Sequence, residues 1–169
     1  MNSTKKMMIT SVAAVFLLSA CSSNNSSVAS LVPGSFSINN KAVYLRGEMN
    51  DYEVSESYRL RKDDEDTYCT VATLRADWAP YKFKFADADW SDGTNFGYRN
   101  PPGILHEGST PVELSANSKF EEISFYPKSD GVYRFCLIKN DNRFFASVQK
   151  TSHRSLLSMA QLMKLSKAN

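Results

Sequence analysis

An alternation of aromatic and basic side chains limits the fold more than any other feature of this sequence: Tyr81-Lys82-Phe83-Lys84-Phe85. Successive side chains of a β-strand point to opposite faces of the sheet. The three aromatic side chains would therefore face a core, while the two lysines would face outward. This pattern predicts a strand that is buried on one face.

Short segments rich in β-branched and aromatic residues recur between turn clusters from residue 42 onward, as is typical of strands. In the sixth of these segments, the alternation places Tyr133, Phe135 and Leu137 inside. The polar residues 139–143 favour a tight turn, so the last two strands should form a hairpin. The seven strands that we expect are 42–46, 58–61, 68–74, 81–86, 121–126, 132–139 and 143–149. Seven short strands with no helix between them predict an all-β domain at residues 37–150, an immunoglobulin-like antiparallel β-sandwich.

Two segments depart from this rhythm. Residues 90–119 are rich in glycine and proline, which predicts a long loop of the kind that often carries function. Residues 151–169 change to a helical period, and Ser152 could cap an amphipathic C-terminal helix. Its apolar face would comprise Leu156, Leu157, Met159, Ala160, Leu162, Met163 and Leu165. We expect this helix to fold back onto the sandwich, with binding to a partner or a membrane surface as the alternative.

The first 21 residues have the order of a bacterial export signal. Lys5 and Lys6 precede an apolar run at residues 7–18, which is too short to span a hydrocarbon core of ~30 Å. The Leu-Ser-Ala-Cys sequence that ends at Cys21 resembles a lipobox. This resemblance implies a signal peptide at residues 1–20, acylation of Cys21, and firm attachment to a membrane. Because Ser22 rather than aspartate follows the cysteine, it also implies the outer membrane of a Gram-negative bacterium.

Residues 21–36 would then comprise the acylated cysteine and a flexible tether, since residues 22–30 are polar and of low complexity. Cleavage would remove Lys5 and Lys6 from the 20 basic residues, leaving 18 against 18 acidic residues. A neutral chain argues against nucleic acid as a partner, because nucleic-acid binding requires a dense basic patch.

The sequence predicts no catalytic residues, no cofactor and no metal site. Neither histidine, His106 or His153, has an evident partner for nucleophilic catalysis. No phosphate-binding loop, nucleophile elbow or paired-histidine metal motif is present. The acidic residues Asp87, Asp89 and Asp92 lack the spacing of a calcium loop and its distant glutamate. We therefore expect a protein that is not an enzyme.

Two cysteines, Cys69 and Cys136, remain after acylation of Cys21. An even pair in an oxidising compartment favours a disulfide. Both cysteines fall between inward-facing residues of predicted strands, so they could share an outer face. Two small buried thiols are the alternative.

Residues 43–52 (Val-Tyr-Leu-Arg-Gly-Glu-Met-Asn-Asp-Tyr) and 81–90 (Tyr-Lys-Phe-Lys-Phe-Ala-Asp-Ala-Asp-Trp) resemble the starch- and glycogen-binding β-sandwich modules. They look closest to the amino-terminal modules of bacterial pullulanases, and the similarity covers about residues 41–150. In that family an aromatic residue after an Asn-rich turn, a lysine on the Phe-Lys strand and a following tryptophan form the sugar platform. The matching positions are Tyr52, where the family usually has tryptophan, Lys84 and Trp90.

This resemblance implies a non-catalytic outer-membrane lipoprotein that binds an α-glucan, or another glycan, weakly through Tyr52, Lys84 and Trp90. The alternative is a structural or assembly lipoprotein that holds a protein partner through its sandwich, its long loop or its C-terminal helix. If Trp90 is exposed beside Tyr52, with Lys84 in reach, the glycan-binding function is favoured. If Trp90 is buried, binding of a protein partner is favoured. We expect Trp78 to pack against the sandwich edge.

Overall fold

The computed structural model describes Gly34 and residues 36–151. The predicted signal peptide, Cys21, most of the predicted tether and the C-terminal helix expected from Ser152 onward lie outside the described residues. Thr151 follows the last strand directly, and its backbone N–H donates to the Val132 carbonyl at 2.9 Å. Residues 36–151 contain no helix whose length and apolar character would let it span a bilayer.

The described residues form an all-β fold, as the alternating patterns predicted. The strands are β1 (Ser37–Ile38), β2 (Lys41–Ala42), β3 (Tyr44–Gly47), β4 (Arg61–Asp64), β5 (Thr67–Leu74), β6 (Tyr81–Ala86), β7 (Asn95–Tyr98), β8 (Ile104–His106), β9 (Val112–Ser115), β10 (Ile123–Tyr126), β11 (Gly131–Asn140) and β12 (Arg143–Lys150). Strands β1 and β2 pair only with each other.

The other ten strands form one hydrogen-bonded path that folds into two layers. Its order is β4-β5-β11-β12-β9-β7-β6-β10-β8, and β3 pairs with the other edge of β6. The first layer contains β4, β5, β11, β12 and β9, and the second contains β3, β6, β10 and β8. Strand β7 joins the layers, because it pairs with β6 of the second layer and with β9 of the first. The expected sandwich is therefore present, but its two sheets are continuous through β7.

The core lies between the layers and is filled by the residues that the alternation placed inward. Tyr81, Phe83 and Phe85 of β6 are buried, as are Tyr133 and Phe135 of β11. The rings of Phe83 and Phe135 meet edge to face across the core, with centroids 5.0 Å apart. Aromatic pairs favour this geometry, so the rings contribute specific contacts in addition to hydrophobic burial.

Three features of the fold differ from the prediction. Residues 90–119, expected as a loop, contain β7, β8 and β9. The strand expected at 58–61 begins only at Arg61, since a 3₁₀ turn capped by Ser55 occupies Glu56–Tyr58. The sandwich is also not purely antiparallel, because β8 and β10 pair in parallel. The intervening β9 lies in the other layer, and such a crossover brings the chain back in the same direction.

A disulfide joins Cys69 of β5 to Cys136 of β11. The two residues are direct partners in the antiparallel register, with Cα atoms 4.2 Å apart. Both side chains are buried. The bridge thus crosslinks neighbouring strands of the first layer over a sequence separation of 67 residues.

We predict that replacing both Cys69 and Cys136 with alanine lowers the free energy of unfolding by up to about 4 kcal/mol. The physical reason is that the bridge restricts the unfolded chain, and the effect grows with loop length. Urea unfolding of the unreduced protein and of the double variant measures the difference. As a control, alkylation of the unfolded, unreduced protein should leave both cysteines unmodified, and alkylation of both would contradict the bridge.

Candidate functional site

The outer face of the second layer carries polar side chains from three neighbouring strands. Arg46 of β3 lies directly opposite Lys84 of β6, and Asn95 of β7 lies opposite Ala86. Residues paired in this way share a face, and their neighbours in sequence, such as Leu45 and Phe85, fill the core. The alternation that builds the core therefore also brings these three polar groups together.

The turn after β3 presents Tyr52 beside this face. Asn50 fixes the turn, because its side-chain oxygen accepts from the Gly47 N–H at 3.0 Å and its amide donates to the Leu45 carbonyl at 2.9 Å. The Tyr52 N–H donates back to the Gly47 carbonyl at 3.0 Å. Tyr52 itself has φ of 58°, in the left-handed region that bulky side chains rarely adopt.

The turn after β6 presents Trp90. One carboxylate oxygen of Asp87 accepts from the Ser91 N–H at 2.8 Å, and the other lies 3.3 Å from the Lys41 ammonium. Trp90 lies inside this closed turn with φ of 56°, so both aromatic residues predicted to bind sugar have strained backbones. Strain of this kind persists only where surrounding contacts hold it, and it is common at ligand sites.

Arg46 makes contacts that hold the turns of Tyr52 and Trp90 in place. Its guanidinium donates to the carbonyls of Tyr52 at 2.8 Å, Asp87 at 3.0 Å and Ala88 at 3.1 Å. Its central carbon also lies 3.8 Å from the centroid of the Trp90 ring, a cation–π contact. Arg46 is buried. One side chain thus ties the two aromatic turns together and supports one face of the indole.

Tyr52 and Trp90 form an angled aromatic pair at the surface. Their ring centroids are 6.4 Å apart and their planes are inclined by 47°. Trp90 is 36% exposed and Tyr52 is half-buried. The ammonium of Lys84 lies 5.8 Å from the Trp90 ring centroid. The structure therefore brings the three residues suggested by the family resemblance to one place.

Lys84 differs from the prediction in its exposure. It lies on the outer face, as the alternation predicts, but it is only 3% exposed. Its ammonium donates to the carbonyls of Ser118 at 3.1 Å and Lys119 at 3.4 Å. Burial lowers the pKa of Lys84, while the Glu121 and Glu122 carboxylates raise it, and the net direction is down. A lysine ammonium has three donors, so these two bonds leave one for a ligand.

A groove of about 390 Å³ runs between these side chains. This volume is within the range of roughly 300 to 1,000 Å³ that is usual for ligand pockets. Besides Tyr52, Lys84 and Trp90, the groove is lined by Asn95, Lys119, Phe120 and Glu122. None of these four was predicted as a site residue from the sequence. The segment Asn95-Phe96-Gly97 resembles a segment of the pullulanase modules, but Lys119, Phe120 and Glu122 lie in a segment without a recognisable motif. One feature of the sequence could have pointed to the groove: Phe120, like Trp90, is an aromatic residue in a polar stretch.

Two of the unpredicted residues add hydrogen-bonding groups to the groove. Glu122 accepts a bond of 2.5 Å from the Tyr52 hydroxyl. Burial, with this bond and the charge of Glu122, raises the pKa of Tyr52, so the phenol remains a neutral donor. The side-chain oxygen of Asn95 is buried and has no hydrogen-bond partner in the structure. An unsatisfied buried acceptor is costly, and this oxygen is closed to solvent, so a ligand hydroxyl would reach it only after the Asn95 side chain turned.

Trp78 is a second residue whose exposure differs from the prediction. We expected it to pack against the sandwich edge, but its side chain is 64% exposed. It lies in the turn before β6, whereas Trp90 lies in the turn after that strand, so the two indoles occupy opposite ends of β6. Arg75 lies 5.0 Å from the Trp78 ring centroid and forms a 2.7 Å ion pair with Asp77. Trp78 does not line the groove.

No group of three or more His, Cys, Asp or Glu side chains in the described part of the chain is arranged to hold a metal ion. The side chains that line the groove offer two kinds of contact. Aromatic rings offer flat apolar surfaces, and Lys84, Asn95 and Glu122 offer donors and acceptors around them. This combination suits a ligand with apolar faces and many hydroxyl groups.

The sequence matches no protein-family model and no curated protein. The fold resembles that of the starch-binding domain AmyP-SBD in its ligand-induced structure, with a TM-score of 0.50 and 19% identity. The alignment covers 84% of this chain and 97% of that one. At this identity the likeness establishes a shared fold.

We predict that Arg46→Ala destabilises the protein by about 2 to 4 kcal/mol, because it leaves buried carbonyls without donors. Arg46→Lys should recover only part of this loss, since an ammonium cannot reproduce the planar guanidinium. Urea unfolding measures both effects. The matched control is Arg75→Ala, which removes an exposed arginine that also lies over a tryptophan. That change should leave the free energy of unfolding close to that of the wild type, and equal losses at both positions would contradict the role of Arg46.

Proposed function

We propose that this protein binds an α-glucan, or a related glycan, without catalysing its conversion, through Tyr52, Lys84 and Trp90. The observation that carries this proposal is the exposure of Trp90 beside Tyr52, with the Lys84 ammonium 5.8 Å from its ring. Burial of Trp90 would have favoured a site for a protein partner instead.

The apolar face of a glucose ring would stack on the indole. Arg46 covers one face of Trp90, which leaves a single face for the sugar. The inclined Tyr52 ring would contact the next sugar unit, so the pair fits a bent chain better than a flat one. An α-linked glucan is bent in this sense.

The polar groups of the groove would bind the sugar hydroxyls. Lys84 has one free donor and Glu122 has a second carboxylate oxygen, and rotation of the Asn95 side chain would bring its unpartnered acceptor to the ligand. A site that pairs its own buried polar groups with ligand hydroxyls discriminates against ligands that lack them. The shared fold with AmyP-SBD, a starch-binding domain, supports an α-glucan as the first ligand to test.

The affinity should be weak. Three aromatic residues and a shallow groove bury little ligand surface, and the hydrogen bonds replace bonds to water. We expect a dissociation constant in the high micromolar to millimolar range, about 4 to 6 kcal/mol of binding free energy.

We predict that Trp90→Ala removes most binding of maltoheptaose, because it deletes the stacking surface. Isothermal titration calorimetry of the full-length protein in mild detergent measures the change. The matched control is Trp78→Ala, which removes an equally large and more exposed indole at the other end of β6. This control should bind as the wild type does. No heat from the wild type, or equal binding by Trp90→Ala, would favour the partner-binding alternative.

We also propose that the protein is a lipoprotein attached to the outer membrane through acylated Cys21. The support is the order of charge, apolar run and lipobox at residues 1–21. The polar tether would hold the domain near the bilayer while leaving the groove free to reorient.

We predict that Cys21→Ser abolishes palmitate labelling and releases the protein from membranes, because the acylated thiol is lost. The control is Ser22→Asp, which should keep the label and shift the protein to the inner-membrane fraction. Labelling of Cys21→Ser, with continued sedimentation in the membrane fraction, would refute the anchor. A Ser22→Asp protein that stays in the outer membrane would refute the sorting signal.

A further inference from the structure

Phe120 is a third aromatic residue along the groove, and its side chain is 88% exposed. Its ring contacts no other aromatic ring among the described residues. A single exposed apolar side chain is common on protein surfaces and by itself indicates nothing. What distinguishes Phe120 is the way in which the 117–121 loop holds it.

Glu121 closes this loop around one carboxylate oxygen. That oxygen accepts from the Ser118 hydroxyl at 2.7 Å, from the Lys119 N–H at 2.9 Å and from the Phe120 N–H at 3.1 Å. These bonds lower the pKa of Glu121 to about 2, so it is ionised throughout the neutral range. The carboxylate therefore fixes the backbone on both sides of the Phe120 side chain.

The buried ammonium of Lys84 also holds the 117–121 loop, from the side of the sheet. It donates to the carbonyls of Ser118 and Lys119, the two residues that precede Phe120. Gly97 of β7 allows the loop to lie this close, since a Cβ atom there would collide with the Glu121 carbonyl oxygen and the Ser118 hydroxyl. The loop is thus attached to the sheet, and Phe120 projects from a fixed backbone.

We infer that Phe120 is a third stacking residue of the groove, and that Lys84 and Glu121 position it. This inference rests on the proposed function. Lys84 then has two tasks, to offer one donor to the ligand and to hold the 117–121 loop. Fixing an exposed aromatic residue in advance lowers the entropy lost when a ligand contacts it.

A third stacking residue determines which part of a glucan is recognised. Tyr52 and Trp90 form one ring–ring pair, and Phe120 lines the same groove without a ring contact to either of them. We expect a ligand of two sugar units to occupy the angled pair, whereas a longer chain can extend along the groove and stack on Phe120 as well. Phe120 should therefore favour long chains over short ones.

The test compares maltose with maltoheptaose by isothermal titration calorimetry of the full-length protein in mild detergent. Phe120→Ala should weaken maltoheptaose binding by about 5- to 10-fold, as expected for the loss of one stacking contact. It should weaken maltose binding by a smaller factor. Phe120→Trp, the conservative variant, should retain the preference for the longer ligand.

The positioning roles of Lys84 and Glu121 are tested by combining their substitutions with the two ligands and, for Glu121, with Phe120→Ala. Glu121→Ala should reduce the preference for maltoheptaose and should cause little further loss when Phe120 is already alanine. Lys84→Met also removes a donor to the ligand, so it should weaken both ligands and reduce the preference for maltoheptaose in addition. For Glu121, the comparison of the two ligands decides between positioning and stability. A role limited to stability would instead weaken both ligands alike. Unfolding midpoints of all variants show whether the fold is retained, and Phe120→Ala, at an exposed position, keeps the test valid if Lys84→Met does not fold.

The outcomes separate this inference from the function on which it rests. Absence of binding to the wild type overturns both. Binding that depends on Trp90 but is equal in wild type and Phe120→Ala, for both ligands, overturns only the role of Phe120. Additive losses in the Phe120→Ala, Glu121→Ala double variant overturn the positioning role of Glu121.

Discussion

The guanidinium of Arg46 is the interaction on which the candidate site depends. It lies on β3, yet it bonds to carbonyls from the turn after β3 and from the turn after β6. Those turns belong to segments about 40 residues apart in the chain, and each would present its aromatic ring separately without this link. Because a guanidinium has five donors in a fixed plane, a single buried side chain can satisfy three carbonyls and still lie flat against an indole.

In this arrangement, the free energy needed to orient the aromatic rings is supplied when the protein folds and not when a ligand binds. Tyr52 and Trp90 both have φ values in the left-handed region, and holding them there lowers the net stability of the folded protein. The surrounding contacts, including the Asn50 and Asp87 hydrogen bonds, supply that free energy when the protein folds. A ligand would then meet rings that are already in place, which matters most for a weak binder with few contacts.

Much of the fold could be predicted from local patterns, because alternation fixes which side chains face the core. It placed Phe83 and Phe85 inside and Lys84 outside, and these directions are confirmed. It could not predict that Lys84 is covered, since the residues that cover it come from the 117–121 loop, far away in sequence. It also missed β7, where Gly97 suggests a loop but in fact permits the close approach of a neighbouring segment.

The site was predictable to a lesser degree. The family resemblance selected Tyr52 and Trp90, and the structure brings the two rings together. Phe120 and Glu122 could not be identified, because their position at the groove follows from the pairing of β10 with β6 and not from any motif of their own. Pairings between distant strands are the information that a single sequence carries least directly.

The continuity of the sheet through β7 has a consequence for association between copies of the protein. Strand edges that lack a partner can pair with another chain, and the described ten-strand path ends only at β4 and β8, apart from the outer edge of β3. Strand β4 has four residues, three of them exposed and charged, and β8 has three residues. Short and charged edges resist pairing. Pairing of two copies through β4 or β8 is therefore disfavoured.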